Sequence, residues 1–330
     1  MKKERIWVGT NGSKGIYVLE KEQDGWKVKY DGEPAFGSFL LQGPDGLILS
    51  VVEAKEYEGV PGGAVVSCRL ESDGIKIVSK AKGLGVGICQ LAFAPRRRMV
   101  FGASYPTGSI DVLRLETDGG LKSITRFLRS GSGPHWRQTG PHAHCCAVTE
   151  KEDILYVCDL GTDEIARYDL ENLTEMESIK LPAGTGPRHI IFSNDEKYLY
   201  LVCELSKEVM VIERESGEIL QIVDCNPGDK EACTLSSIRF SPDGKSLIVG
   251  CRGIEGVWKI PYLSEKELGT PEFFVTESSF PWDVLPLYED LCAAAFTHSD
   301  CVEFGILRER KWETKETCSV KSPTYLLMEK

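Results

Sequence analysis

Residues 187–206 read PRHIIFSNDEKYLYLVCELS. The stretch holds an apolar strand, a polar turn, a second apolar strand and then an abrupt acid, Glu204. The same unit returns as PHAHCCAVTEKEDILYVCDLG from Pro141, as SSIRFSPDGKSLIVGCRG from Ser236 and as PWDVLPLYEDLCAAAFTHS from Pro281. A unit repeated at a pitch of roughly 40–50 residues cannot bury its apolar faces alone and must stack on its neighbours, so the repeat decides the architecture.

The remaining apolar runs, bounded by Gly, Pro, Asn and Asp, fall into groups of four, and none has a helical period. The groups run from Pro34 to Gly83, Ile88 to Ser130, His142 to Ala183, Pro187 to Asn226, Leu235 to Ser279 and Pro281 to Val320. What is left is RIWVGT, GIYVLEKE and WKVKYDG at the N-terminus and SPTYLLMEK at the C-terminus. Three strands and one complete a last group. The expectation is an all-β chain, residues 1–330 forming a single seven-bladed β-propeller domain of four-stranded antiparallel blades. N- and C-terminal strands share one blade and close the ring, which leaves no open sheet edge. Two stacked β-sandwiches are the alternative, but sandwiches do not demand this pitch.

A net charge of −11 repels nucleic acid and anionic membranes, so neither is an expected partner. No apolar run is long enough to span a bilayer. Lys2 and Lys3 lead almost directly into a strand with no apolar signal region, so a cytoplasmic location is expected. The twelve cysteines are scattered, and Cys68, Cys158, Cys203, Cys251 and Cys292 sit in apolar strands, where they read as small hydrophobes. Cys145 and Cys146 beside His142 and His144 suggest a metal, but neighbouring strand residues face opposite sides, so no metal site is expected. The glycines match no phosphate cradle on a strand-to-helix turn, so no cofactor is expected either.

In each group an apolar strand ends in a residue that breaks the run. Aligned, these are Thr10, Glu53, Ser104, Asp159, Glu204, Arg252 and Phe296. In a propeller, equivalent positions ring the central channel. The first strands begin near the same face and add His142 and His144, Arg188 and His189, and Ser236 and Ser237. Charge gathers on one arc, while Ala35, Phe36, Ile88, Cys89 and Thr324 keep the other arc small or apolar. Desolvated charges are costly unless paired or used. One reading is a site for a small anionic molecule; the other is a plug of ion pairs, Arg188 with Glu204 and Arg252 with Asp159. His135, Trp136 and Arg137 lie in a Gly-rich loop that either overhangs the mouth or is an ordinary connection. His298 reads as a loop residue, and Arg96, Arg97 and Arg98 as a solvated turn.

RQTGPHAH at Arg137–His144, DLGTDEI at Asp159–Ile165, GTGPRH at Gly184–His189, the Glu204 of VCELS and SPDGKSLIVGCRG at Ser241–Gly253 together resemble the lactonase family of seven-bladed propellers. That family includes bacterial propeller-type 6-phosphogluconolactonases and fungal carboxy-cis,cis-muconate cyclases. The resemblance covers essentially the whole chain. It implies chemistry on lactones or their ring-opened acids without a nucleotide cofactor or catalytic metal. It places catalytic roles on His144, Arg188, Glu204 and Arg252. Around them His142, His189, Asp159, Arg137 and Glu53 are candidate substrate contacts. Ser104 and Phe296 stand where family members usually carry Asn, and Trp282 where they often carry Arg, which bears on whether the substrate is phosphorylated.

For lactone hydrolysis the two arginines suit an oxyanion, a carboxylate or a phosphate. Glu204 or His144 would take the proton of an attacking water and return it to the leaving alkoxide. No G-x-S-x-G nucleophile motif occurs, so direct attack by water is the simpler route. A monomeric lactone hydrolase acting on a sugar-derived lactone is the expectation. A cycloisomerase forming a lactone from an unsaturated dicarboxylate, or a non-catalytic binding propeller, are the alternatives.

Overall fold

The computed structural model describes residues 4–12, 14–228 and 233–329. Lys2 and Lys3, and Lys330 at the end of SPTYLLMEK, lie outside them. The chain divides into two compact units, residues 1–183 with 327–330, and residues 184–326. Apart from one 3-10 turn, Thr297–Ser299, every regular element among the described residues is a β-strand. Among the described residues no helix is long and apolar enough to cross a membrane.

Within the first unit the strands Ile88–Ala94, Met99–Ser104, Ser109–Leu115 and Leu121–Leu128 form one antiparallel sheet in chain order. Ala143–Val148, Ile154–Asp159, Glu164–Asp169 and Thr174–Lys180 repeat the pattern. Leu40–Gln42, Ile48–Val52, Gly63–Glu71 and Gly74–Leu84 form another such sheet, beside the small hairpin of Glu56–Tyr57 and Val60–Pro61. Arg5–Thr10, Ile16–Glu22 and Gly25–Gly32 make a further ladder. Residues 327–329 return to it: the Glu329 N–H donates to Arg5 O at 3.0 Å, and Trp7 Nε1 donates to Glu329 Oε2 at 3.1 Å.

The second unit starts with a four-stranded sheet, Pro187–Phe192, Tyr198–Cys203, Glu208–Glu213 and Ile219–Asp224. Its other eight main strands form two antiparallel sets of four, 234–275 and 281–319. A parallel bridge between Val275 and Lys311 joins the sets into one continuous sheet.

Burial follows position in the sheet. Tyr198–Cys203 and Ser246–Arg252 are buried at every residue, whereas Leu121–Leu128 and Thr174–Lys180 are mostly exposed. The second strands are covered on both faces, which is why they read as unbroken apolar runs. Leu247, Val249 and Cys251 enter a core with Tyr198, Tyr200 and Val202 of the neighbouring sheet, while Ile248 faces a different cluster with Val284, Ala294 and Phe296. Each large side chain so buried contributes about 1.5–3 kcal/mol.

The repeat extends to hydrogen bonds. In SNDEK, Ser193 Oγ donates to Asp195 Oδ1 at 2.8 Å and accepts from the Tyr198 N–H at 3.0 Å. In SPDGKS, Ser241 Oγ donates to Asp243 Oδ1 at 2.6 Å and accepts from the Ser246 N–H at 3.0 Å. Asp195 and Asp243 each also accept the N–H two residues on. The residue after each Asp is left-handed, Glu196 at φ 54° and Gly244 at φ 69°. Only glycine adopts that region without cost, so the PDG form is the relaxed version of the turn.

Candidate functional site

Arg188 owes its placement to a break in the ladder. Pro187 pairs with Cys203 and His189 with Val202, which leaves Arg188 as the extra residue of a β-bulge. A bulge frees one residue from pairing and re-aims its side chain. Here the guanidinium is 1% exposed. Its Nε donates to Glu204 Oε2 at 2.8 Å, and its Nη1 donates to Ser236 O at 2.7 Å and stands 3.2 Å from the ring nitrogens of His189. Glu204 follows the strand Tyr198–Cys203, and its own N–H donates to Gly186 O at 2.8 Å, closing the backbone next to the bulge.

Arg252 ends its strand opposite Thr234. Its Nη2 lies 3.1 Å from Glu204 Oε1 and donates to Leu235 O at 3.0 Å. One carboxylate therefore meets two guanidinium groups, and the trio carries a net positive charge. Arg252 is 5% exposed, and its guanidinium packs over the rings of Phe280 at 5.4 Å and Trp282 at 5.0 Å. Its Nε is buried with no acceptor in reach. Such an orphan donor costs about 1–3 kcal/mol unless something binds it.

The bulge recurs. His144 lies between the paired residues Ala143 and Cys145, Cys89 between Ile88 and Gln90, and Trp282 between Pro281 and Asp283. In the sheet that begins at Thr234 the break runs from Leu235 to Ile238 and holds Ser236 and Ser237. Ser236 Oγ donates to Pro281 O at 2.9 Å and Ser237 Oγ accepts from the Val284 N–H at 3.0 Å, so both serines tie neighbouring strands. The bulge at His144 also breaks the strict alternation assumed for His142 to Cys146. Among the described residues no group of three or more His, Cys, Asp or Glu side chains is placed to hold a metal ion.

In the first unit His142 stacks on Tyr105, ring centroids 4.3 Å apart and planes 6° from parallel, and its Nδ1 is 2.8 Å from Tyr105 O. His144 meets the same ring edge-on at 5.7 Å. Arg137 Nη2 donates to the Tyr105 hydroxyl at 3.2 Å, so the Gly-rich loop reaches this cluster. Gln138 pins the loop: its Nε2 donates to Leu160 O at 2.8 Å and to Asp163 Oδ1 at 2.7 Å, and its Oε1 accepts the His135 N–H at 3.0 Å. Trp136 projects from it, 79% exposed.

Other expected residues have partners of their own. Asp159 accepts from the N–H groups of His142 and Gly161 through Oδ1, and its Oδ2 takes Arg129 Nε at 2.9 Å. The side chain is buried, and these bonds tie it to the His142 turn and to Arg129. The carboxylate that meets Arg252 is Glu204, while Asp159, its partner in the expected plug, pairs with Arg129. Glu53 Oε2 accepts from Ser38 Oγ at 2.6 Å. Phe296, expected on the rim, is wholly buried and meets Trp312 edge-on at 5.9 Å. Its ring gains more from the apolar cluster than from solvent. The Arg96–Arg98 turn is bonded rather than free: Glu152 accepts the Arg96 and Arg97 N–H groups at 3.0 and 2.9 Å.

Sequence reasoning missed Phe280, Glu255, Tyr105 and Arg129. Phe280 is left-handed at φ 67°, a conformation of about 1–3 kcal/mol strain for a bulky residue. Glu255 holds it there, its Oε2 accepting the Phe280 N–H at 2.6 Å and its Oε1 the Ser279 hydroxyl at 3.0 Å. His298 stacks on the Phe280 ring at 4.0 Å, so it is not a plain loop residue. Strain leaves no mark in composition. Tyr105 was findable, since it directly follows the aligned position Ser104.

Comparison with known proteins bears on family and fold. The chain is 30% identical over 296 residues to 6-phosphogluconolactonase of Bacillus subtilis (strain 168), covering 84% of this chain and 83% of that protein. Among solved structures, a protein from Lactobacillus plantarum superposes with a TM-score of 0.89 at 24% identity over 100% of both chains. The periplasmic gluconolactonase of Pseudomonas aeruginosa gives a TM-score of 0.87 at 24% identity, covering 100% of this chain and 99% of that one. These two likenesses show a shared fold. The family model described as "Lactonase, 7-bladed beta-propeller" matches residues 5–304. The chain thus belongs to the lactonase family of β-propellers.

Proposed function

We propose that this protein hydrolyses a sugar-derived lactone, the kind of substrate named for its Bacillus subtilis relative. The observation that carries the reading is Arg252: a nearly buried guanidinium, fixed against two aromatic rings, with an orphan Nε. A preorganised cation with a spare donor suits the oxyanion that develops at an attacked acyl carbon, or the carboxylate of the product. In this scheme water attacks the acyl carbon and Glu204 accepts its proton. The acyl C–O bond then breaks, and Glu204 returns the proton to the ring alkoxide, giving the hydroxy acid. Arg188 holds Glu204 in place and shares the negative charge. His144, with His142, Arg137 and Tyr105 in the first unit, is a separate candidate for ligand contact and the alternative base. His189 and Glu53 remain candidate substrate contacts.

We also propose the finer architecture: one domain of seven four-stranded blades, closed by strands from both termini, acting as a monomer in the cytoplasm. The twelve cysteines, all free thiols, fit a reducing compartment. Phe280 and Trp282 beside Arg252 favour a second reading, in which a planar unsaturated dicarboxylate is cyclised to a lactone. Rates on a gluconolactone and on a muconate separate the two. If Glu204→Gln and His144→Ala both left lactone hydrolysis unchanged, the catalytic scheme would be dead.

A further inference from the structure

The second unit holds a thiol–thiol contact that lactone chemistry does not use. Cys251 lies on the strand Ser246–Arg252, and Cys233 immediately precedes the strand Thr234–Phe240. Thr234 pairs with Arg252 and Leu235 with Cys251, so the two cysteines are diagonal neighbours on one face of the ladder. Their Sγ atoms are 2.8 Å apart, closer than two sulfurs rest in van der Waals contact. A disulfide needs about 2.05 Å, so an approach of less than about 1 Å would bond them. Both are free thiols and both are buried.

We propose that Cys233 and Cys251 form an oxidation site that closes to an intramolecular disulfide when a peroxide reaches it. The Cys233 thiolate attacks a peroxide oxygen; the O–O bond breaks, giving a sulfenic acid and, with one proton taken up, water. The Cys251 thiol then attacks the sulfenic sulfur. The S–S bond forms, the S–O bond breaks, and hydroxide leaves with the Cys251 proton as a second water. Two thiols lose two electrons and one peroxide gains them.

The electrostatics agree with this order of attack. The hydrogen bond from Cys251 holds the Cys233 thiol below its usual range against the effect of burial, with help from Lys207 and Arg252. The same contact, with burial, pushes the Cys251 thiol up. Cys225, in the same apolar cluster, is pushed up by burial and is a poor competitor.

The test is a tryptic map of the protein before and after hydrogen peroxide. The expected result is a reducible cross-link between residues 231–239, EACTLSSIR, and Ser246–Arg252, SLIVGCR, with loss of two of the twelve thiols. Cys233→Ser should abolish that peptide and leave Cys251 a free thiol. The proposal is overturned if peroxide oxidises other cysteines while both of these remain thiols. It is equally overturned if Cys233 runs to sulfinic acid with Cys251 still reduced. Should the variant fail to fold, the wild-type map alone decides.

Discussion

Arg188 and Glu204 form an ion pair at 2.8 Å in which the side chains are only 1% and 5% exposed. Arg252 adds a second guanidinium to the same carboxylate at 3.1 Å. Taking such charges out of water is costly, and an apolar filling would often be as stable. Under the proposed function the spare positive charge of the cluster binds an anion, which gives that cost a use.

Removing the carboxylate separates those roles. Glu204→Ala leaves two buried cations uncompensated and should lower stability by about 3–5 kcal/mol, read as a drop in urea midpoint. Glu204→Gln keeps the shape and one acceptor oxygen. It should stay folded while kcat falls by at least about 100-fold.

Arg252→Lys keeps the charge but loses the planar face that packs on Phe280 and Trp282 and the second donor edge. Affinity for the hydroxy-acid product should drop about 10- to 100-fold, the span expected for one charge-assisted hydrogen bond. Calorimetric titration with gluconate and 6-phosphogluconate measures it. Equal affinity in the variant would remove Arg252 from the binding account.

Asp159 should behave as a structural residue. Asp159→Ala leaves Arg129, whose side chain is 4% exposed, without its most buried carboxylate and the His142 and Gly161 N–H groups without their acceptor. The expected outcome is a loss of about 3–5 kcal/mol of stability with KM unchanged. A raised KM at unchanged stability would return Asp159 to the substrate.

Acid stability should depend on Glu152. Burial alone would push its carboxyl up, but the Arg96 and Arg97 N–H groups and the Arg96 guanidinium outweigh it and hold it below 4.5. A group whose folded pKa is depressed gives stability that is present above its unfolded value and is lost as pH falls through the folded one. Glu152→Gln should therefore be less stable than wild type at pH 7, with the gap shrinking as pH falls below about 4.5. A gap that stays constant down to about pH 2 contradicts this linkage.

The strand groups were legible because the second strands, such as Tyr198–Cys203, are buried on both faces and the turns carry a repeated Ser and Asp. The approach of Arg188, Glu204 and Arg252 followed from aligning those repeats. The alignment did not disclose that Arg188 and His144 sit on bulges, since an extra residue changes pairing without changing composition. Arg129 was missed because it follows an outer strand and has no aligned equivalent. Cys251 read as a small hydrophobe and Cys233 was not singled out, and only their placement on one ladder face shows the contact.

The most direct test of the central claim is the rate of 6-phosphogluconolactone hydrolysis by purified protein, above the spontaneous rate, with Arg188→Ala and Arg252→Ala measured beside it. The account predicts a rate well above background that both folded variants lose. An unchanged rate in both variants, or none above background on phosphorylated and unphosphorylated gluconolactones alike, would contradict it.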